Sequence, residues 1–570
     1  MISIFKRKPS ALSKISKAEK KIVKAWCMYD WANSAFFTSV VSAIMPVYFV
    51  SLYRDELGSG FVVFNFQFSA TVVWALTGAL ATFIIALSSP VFGIIADRSG
   101  LKKRLMTIFC IAGCLSTIML FFTSYSSSPW LFSLIFYFLG ALGATGANVF
   151  YNSLLPHIAP EDLLDDVSSR GYAYGYLGGG VLLFFHLVFL MFFDYSDLAI
   201  RSCIASVGLW WFGWALWTLI VVPEPTYEKT KKIGVIKSVT RAFAQIKKTG
   251  GEVKQFKMLL IFLIAFVIFN DAIATCLGIA GAYGLDVLRI SPETSILTIL
   301  IVQFVAVPGS FIFSSLAKRL GTIKSLSIAV LGWGFISILA VGFAPLELSD
   351  HSDFDYQLEN EADRYEISTK PTLSDTNKIE IKWLEANSDY IIEDFILLPE
   401  ASIFKNNFNL DNCIYSISFK DGPLDAQTAI CENHPTFLNE NIVDLWPKFL
   451  RYIVWAPLGI NQDMQFLILG IGVGLVIGGA QALGRSLFAY MSPKSRSGEF
   501  FGFFSLSWRS ISVIGPLTYA IVAGFSTPRT GLIFLVIQIF AGLYILKFVD
   551  VEEGRRVALE HDDKSFKVLE

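Results

Sequence analysis

The sequence predicts an all-α membrane protein with twelve transmembrane helices in two bundles of six, joined to a small β-rich insertion. Of its 570 residues, 54% are hydrophobic and only 16% are charged, against about a quarter in ordinary soluble domains. Apolar runs of about 20 residues recur along the chain, and one acidic stretch interrupts them. This composition excludes a soluble globular protein, because the polar residues are too few to cover its surface.

Twelve apolar segments are each long enough to cross a hydrocarbon layer of about 30 Å. They lie at 26–53, 67–95, 105–124, 130–155, 171–193, 200–222, 258–281, 294–317, 324–345, 463–491, 499–525 and 529–549. A basic linker, 223–257, divides them into a first bundle at 26–222 and a second bundle at 258–345 and 463–549.

The distribution of lysine and arginine predicts the orientation in the membrane. These residues cluster in the tail 1–25, in the linker 223–257 and in the other loops on the same side, whereas the opposite loops hold few. Because cytosolic loops carry the excess of positive charge, both termini, including the tail 550–570, are predicted to be cytosolic. We expect a multi-pass protein of the plasma (inner) membrane if bacterial, or of a vacuolar-type membrane if eukaryotic.

The insertion at 346–462 separates the ninth and tenth apolar segments, and the orientation places it outside the cytosol. Its acidic residues clearly outnumber its basic residues. Apolar and polar residues alternate in "KIEIKWLEA" and "DYIIEDFILLP", a pattern typical of strands. The insertion also contains Cys413 and Cys431, which are candidates for a disulfide because disulfides persist in oxidising compartments. Two free thiols are the alternative.

Polar residues within the apolar segments concentrate in every third segment, the first, fourth, seventh and tenth. They include Asp30, Asn33, Asn148, Tyr151, Asn152, Asn270, Asp271, Gln481 and Arg485. Such residues are costly in lipid and usually face a bundle interior or a water-filled cavity. The period of three predicts that one helix of each three-helix repeat lines a central cavity. The alternative is that these side chains simply hydrogen-bond neighbouring helices.

Asp271 is the one acidic residue near the bilayer midplane. Its carboxylate has three open interpretations: it couples transport of a proton or solute, it pairs with the intramembrane Arg509, or it is a solvated bystander. His186 in the fifth segment either transfers protons or bonds to a neighbouring helix. We find no catalytic constellation, metal-ligand cluster or nucleotide-binding motif. We therefore expect no enzyme activity, no cofactor or metal and no nucleic-acid partner.

The stretch "GIIADRSGLKKR", between the second and third segments, resembles the signature of the major facilitator superfamily. The matching residues are Gly93, Asp97, Arg98, Gly100, Lys102 and Lys103. The resemblance implies a cytosolic latch in which Asp97 lies against a helix N-terminus, near Gly498, where the helix dipole favours an anion. A weaker match to the same signature lies at 314–325. It has Lys318 at the position of the aspartate, so we expect no equal latch there.

Other stretches resemble the autophagy-related vacuolar effluxer branch of that superfamily. They include "YDWANSAFFTSVVSAIMPVYF", "FYNSLLPHIAPED", "FNDAIAT" and "GGAQALGRSLFAYMSPKSRSGEFFGFFSLS". The resemblance covers nearly all of 26–345 and 463–549 but not the insertion. It implies a secondary transporter of small solutes, with amino-acid efflux as the best-known activity. We expect a monomer in the lipid bilayer, driven by a proton gradient through Asp271 or by the solute's own gradient, with Arg485 holding a carboxylate or gating the inner end.

Two other functions stay open. A membrane receptor or sensor would keep the same helices and bind a ligand through the insertion. A transporter of lipid-like solutes would also use the same fold.

Overall fold

The computed structural model describes residues 16–57, 61–63, 66–68, 70–225, 255–370, 395–408, 415–431, 434–438, 442–509 and 514–567. The chain divides into two compact units. The first consists of Met1–Ile279, Ile296–Ile338 and Leu467–Glu570, and the second of Ala280–Ser295 and Leu339–Phe466. Most of the predicted cytosolic linker 223–257 lies outside the described residues.

Seven helices and one short hairpin form the first half of the chain. They are α1 (Lys17–Ala35), α2 (Met45–Leu57), β1 (Phe61–Val63), β2 (Phe66–Phe68), α3 (Ala70–Ser99), α4 (Lys102–Met119), α5 (Pro129–Ile158), α6 (Leu164–Phe192) and α7 (Asp197–Val221). A capping box starts α1: Ser16 Oγ accepts from the Glu19 N–H, and the Glu19 carboxylate accepts from the Ser16 N–H, which satisfies two donors that the helix leaves free. A π-helical stretch, Phe36–Ala43, joins α1 to α2.

The second half of the chain supplies the remaining long helices. In chain order, and including two short helices of the second unit, they are α8 (Lys257–Asp286), α9 (Pro292–Leu320), α10 (Thr322–Val341), α11 (Leu398–Asn407), α12 (Ile442–Leu450), α13 (Gln462–Met491), α14 (Ser497–Arg509), α15 (Ile514–Phe525), α16 (Pro528–Leu546) and α17 (Val551–Lys567).

Ten helices in the described part of the chain are long and apolar enough to cross a membrane. The bent pair Lys17–Ala43 and Met45–Leu57, which turns by 41°, counts as an eleventh crossing. The segment predicted at 499–525 coincides with α14 and α15, which flank residues 510–513 outside the described chain. A count of twelve therefore stays a prediction.

Close helix packing in the first unit depends on small residues. Helix α1 packs against α6 and α7, and α3 packs against α14 of the other half of the chain. At Gly178 of α6, a Cβ atom would lie 2.3 Å from the Trp31 carbonyl oxygen of α1. Only glycine permits this approach, in keeping with the small-residue contacts that bring membrane helices together.

A five-stranded sheet forms the centre of the second unit. Its strands are β3 (Tyr356–Glu361), β4 (Arg364–Thr369), β5 (Phe395–Leu397), β6 (Ser416–Lys420) and β7 (Thr428–Ile430). They are ordered β5-β4-β3-β6-β7; β3 and β6 run parallel and the other pairs antiparallel. The sheet and α11 share a buried core that includes Leu358, Tyr365, Phe404, Ile417 and Phe419. Of the two runs predicted as strands, "KIEIKWLEA" lies outside the described residues.

One cysteine of the insertion is described. Cys431 is buried and disulfide-bonded. Its predicted partner, Cys413, lies outside the described residues, so the pairing of these two cysteines stays a prediction. The free cysteines of the described chain are Cys27, Cys110, Cys114, Cys203 and Cys276.

Candidate functional site

A cluster around Arg485 joins the two halves of the chain. Arg485 lies on α13, is 1% exposed, and directs its guanidinium at α1, α5 and α6. Its Nη1 lies 3.3 Å from Asp30 Oδ2 and donates to Asn152 Oδ1 at 3.0 Å. Its Nε and Nη2 donate to Ser168 Oγ and Ser168 O at 3.0 and 2.8 Å. All of these polar contacts of the buried cation are with the opposite half of the chain, and they supply the partners that a buried charge requires.

Three aromatic rings surround the same guanidinium. The carbon Cζ of Arg485 lies 4.2 Å from the ring centre of Tyr172, 4.9 Å from that of Trp26 and 5.7 Å from that of Tyr151. These distances permit cation–π attraction, which strengthens when the cation is shielded from water. The hydroxyl of Tyr151 also donates to Asp30 Oδ2 at 2.7 Å, so the ring and the carboxylate hold each other in place.

The cluster lies near the end of α13 that leads to the predicted latch. Arg485 is six residues before Met491, the last residue of α13, or about 9 Å at the rise of an α-helix. The next turn of α13 toward the bilayer centre carries Gln481, whose Oε1 accepts from the Tyr176 hydroxyl of α6 at 2.6 Å. A second polar link between the halves therefore lies one turn deeper.

Two asparagines predicted to line the cavity bond to each other within the first half. Asn33 Nδ2 donates to Asn148 Oδ1 at 3.0 Å and lies 3.3 Å from the Tyr29 hydroxyl. This contact joins α1 to α5, so for this pair the helix-to-helix interpretation describes the geometry. His186 behaves in the same way: its ring nitrogens lie 3.2 and 2.8 Å from the hydroxyls of Ser39 and Ser206.

Asp271 has different neighbours from those of Arg485. It is 3% exposed, and its Oδ2 accepts from the Gly515 N–H of α15 at 2.6 Å and from Gln538 Nε2 of α16 at 2.9 Å. Both donors belong to its own half of the chain. Its other oxygen, Oδ1, is buried and has no hydrogen-bond partner among the described residues. Asn270 beside it is also buried, and the side chain of Arg509 lies outside the described residues.

The latch motif lies against the start of α14. Asp97 accepts from the backbone N–H groups of Gly498 and Glu499 at 2.9 and 2.8 Å, and its Oδ1 lies 2.8 Å from Lys102 Nζ. This is the contact that the sequence predicts, and it sets an anion on the positive end of a helix dipole. The Nζ of Lys103 donates to Val222 O at 2.7 Å. The side chain of Arg98 is not among the described ones.

A second set of contacts links the halves where no equal latch was expected. Lys318, at the end of α9, lies 3.1 Å from Asp166 Oδ1 on α6. The neighbouring Asp165 accepts from the hydroxyls of Thr322 and Ser486, the former at 2.6 Å. The charges are exchanged relative to the first motif: the end of α9 supplies the cation, and the start of α6 supplies the carboxylates. The expectation of no latch considered only the missing aspartate and overlooked the acids on α6.

Sequence reasoning missed the polar face of α6. Ser168, Tyr172 and Tyr176 recur every fourth residue, so they lie on one side of the helix, and all three contact Arg485 or Gln481. The sequence shows this spacing. However, glycines lie between these residues, and they favour an interpretation of the segment as a surface for close helix packing. Among the residues the structure describes, no group of histidine, cysteine and acidic side chains could hold a metal ion.

Known proteins are similar to this chain in sequence and in architecture. The family described as vacuole effluxer Atg22 like matches residues 18–347 and 439–559. The chain belongs to this family. The MFS-type transporter YxiO of Bacillus subtilis (strain 168) is 25% identical over 95% of this chain and 97% of its own length. Autophagy-related protein 22-1 of Neosartorya fischeri is 22% identical over 69% of this chain, which spans only 49% of that relative.

Solved structures agree with the fold. A bacterial homologue of the iron transporter ferroportin, outward-facing, has a TM-score of 0.53 at 12% identity and covers 93% of this chain and 99% of its own. The proton:xylose symporter XylE has a TM-score of 0.52 at 10% identity, with coverages of 94% and 95%. The chain is thus a multi-pass membrane transporter of the major facilitator type, and the matched family ranges omit most of the insertion.

Proposed function

We propose that this protein is a secondary transporter that moves a small solute by alternating access, with the Arg485 cluster as its cytosolic gate. The supporting observation is that Arg485, on one half of the chain, has its polar contacts with Asp30, Asn152 and Ser168 on the other. Opening that end must break all of them together. Such a gate has two discrete states, as rocking-bundle transport requires.

The proposal includes a complete topology. Twelve helices form two bundles of six, both termini are cytosolic, and the insertion at 346–462 lies on the other side of the membrane. The protein acts as a monomer in the plasma membrane of a bacterium or in a vacuolar-type membrane. The contacts of Asp97 with Gly498 and Glu499, and of Lys318 with Asp166, close the same end as Arg485.

Amino acids leaving the cytosol are the proposed solutes. The vacuole effluxer family supports export, and the exposed gate would offer both charges that a zwitterion needs. Once the halves part, the Arg485 guanidinium loses its anion and the Asp30 carboxylate loses its cation. A solute with a carboxylate and an ammonium group would satisfy both, which the free energy of buried charges favours.

A proton is the proposed coupling ion, and Asp271 its site. The carboxylate is buried, and from the part of the chain that the structure describes it accepts hydrogen bonds through Oδ2 alone. A proton on the unpartnered Oδ1 would remove the charge without breaking either existing bond. Since the Gly515 N–H belongs to the first turn of α15, protonation would weaken that contact and link the proton to the position of α15.

Uptake into proteoliposomes with a panel of amino acids, with and without a pH gradient, tests these proposals. We expect accumulation of at least one amino acid, enhanced by the gradient in the parent and not in Asp271→Asn. The exposed Glu361→Gln variant is the control and should behave as the parent. Transport that is independent of the gradient in every variant would reject proton coupling, and no flux of any amino acid would reject the proposed solutes.

A further inference from the structure

The end of the insertion carries an apolar stripe that is exposed in the described part of the chain. We use this name for five side chains on α12 and the π-helical turn Arg451–Trp455, each more than half exposed. They are Ile442, Leu445, Phe449, Tyr452 and Ile453. Their spacing of three, four, three and one places them within an arc of about 100° on one helix face.

The opposite face of the same helix is fixed to the chain just after α10. Leu450 packs so closely on Gly342 that a Cβ there would lie 2.3 Å from Leu450 Cδ1. Trp455 Nε1 donates to the Gly342 carbonyl oxygen at 3.1 Å, and Arg451 Nη2 donates to Thr436 O at 2.8 Å. Because this face is held in place, the stripe points away from the second unit.

The ends of two membrane-crossing helices lie next to this helix. Gly342 directly follows Val341, where α10 ends, and α13 begins at Gln462, seven residues after Trp455. The side chain of Gln465, in the first turn of α13, bonds both the N–H and the carbonyl of Ala344, at 3.2 and 3.0 Å. The helix that carries the stripe therefore contacts the residue that follows α10, and α13 begins shortly after it in the chain.

We propose that α12 is an interfacial helix that lies along the membrane surface, with the apolar stripe in the lipid. Helices with one strongly apolar face insert about 5–10 Å into the boundary between headgroups and acyl chains. Phe449 and Tyr452 suit that depth, since aromatic side chains are enriched at both interfaces. Lipid is the occupant that the position predicts, because the helix that carries the stripe contacts the residue after one spanning helix and shortly precedes the start of another. The helix thereby anchors the insertion to the bilayer.

Spin labels on cysteines at positions 445 and 449 test this proposal in the full-length protein. The five free cysteines are first replaced by alanine, and the protein is placed in lipid nanodiscs. Collision rates with oxygen, which concentrates in lipid, and with a water-soluble nickel chelate are then compared. A third label, Ile403→Cys, is the matched control, because Ile403 is half exposed on α11 of the same insertion.

We expect oxygen to dominate several-fold at Leu445→Cys and Phe449→Cys and the nickel chelate to dominate at Ile403→Cys. Equal nickel access at all three positions would overturn the proposal, as the stripe would then face water. Dipolar broadening between labels at position 445 would overturn it as well, since a second copy would then cover the stripe. Two labelled positions keep the test valid if one variant does not fold. The result depends on neither the solute nor the coupling ion.

Discussion

The guanidinium of Arg485 lies 3.3 Å from the carboxylate of Asp30, and these residues come from opposite halves of the chain. Their separation in sequence is 455 residues. A buried ion pair of this kind adds little to stability by itself, because desolvation offsets the attraction. Removing one partner is costly, however, since it leaves the other charge buried alone. The pair is therefore suited to a contact that must form and break as a unit.

Asp30→Asn tests the proposed gate with almost no change in shape. Because Arg485 loses its anion, we expect destabilisation of about 3–5 kcal/mol in the state closed at the cytosolic end and a large loss of transport. Initial rates in proteoliposomes and the thermal unfolding midpoint measure the two effects. Asp363→Asn, an exposed change in the insertion, should alter neither. Parental rates and midpoint in Asp30→Asn would show that the pair does not hold the gate.

Local patterns in the sequence predicted much of the fold. Apolar length located the long helices, because each apolar run must satisfy its own backbone in lipid. The resemblance to a family signature motif, and not apolar length, implied that Asp97 lies near Gly498, where the structure has a hydrogen bond between them. The crossing expected at 499–525 stays a prediction, because this segment coincides with two short helices, α14 and α15, on either side of residues 510–513.

Partners from distant parts of the chain could not be predicted. The sequence shows that Asp271 lies within an apolar segment, but nothing local to that segment shows that its carboxylate meets Gly515 and Gln538. The pairing of Lys318 with Asp166 was missed for the same reason. A residue at one position of a motif carries no information about which charge the opposing helix presents. Only the packed structure brings those elements together.

Lys318→Glu should weaken the second cytosolic contact. The change places a third carboxylate beside Asp165 and Asp166, so repulsion replaces an attraction. Because the Lys318 side chain is 40% exposed, solvent screens the pair, and we expect a cost of about 1 kcal/mol and a several-fold change in transport rate. Lys318→Arg should keep the parental rate. Lys324→Glu makes the same charge change on an exposed residue of α10, and an equal effect there would argue against a specific contact.

Two glycines of the latch motif should respond differently to alanine. A Cβ on Gly93 would lie 2.2 Å from the Gly498 carbonyl oxygen, whereas a Cβ on Gly100 has no atom within 4 Å. We expect Gly93→Ala to separate α3 from α14 and to reduce transport strongly. Gly100 has a φ of 61°, so Gly100→Ala should cost only about 1–2 kcal/mol of backbone strain and leave most transport. Uptake rates distinguish the variants; equal losses would contradict this assignment.

Asp562 of α17 should stabilise the loop that precedes α14. Its carboxylate accepts from the N–H groups of Lys494 and Ser495 at 2.9 and 3.0 Å, as a capping residue does. Asp562→Ala should therefore lower stability by about 0.5–2 kcal/mol, measured as a lower thermal midpoint in detergent. Asp563→Ala, the same change at the exposed neighbour, should have no effect. If both variants unfold at the same temperature as the parent, the predicted cytosolic tail does not stabilise this loop.

Asp355 should make the stability of the insertion depend on pH. Burial alone would raise its pKa, but the hydrogen bond from His434 and the charge of Arg289 outweigh burial and lower the pKa of this carboxyl. The contacts measure 3.1 and 2.8 Å. A lowered pKa in the folded state means that the ionised form stabilises the fold. This contribution is complete well above about pH 4, the pKa of an unfolded aspartate, and is lost as the pH falls through the lower folded value.

Asp355→Asn removes that dependence. At neutral pH the variant should be less stable by about 1.5–3 kcal/mol, the range for hydrogen bonds to charged groups. Amide hydrogen exchange of β3 and β6 between about pH 6 and pH 3 measures the effect. Protection in the parent should fall, after correction for intrinsic exchange, as the carboxylate is protonated, and should approach that of the variant. Asp363→Asn should follow the parent throughout. If the parent and Asp355→Asn differ equally at both ends of the range, the titration of Asp355 does not govern the insertion.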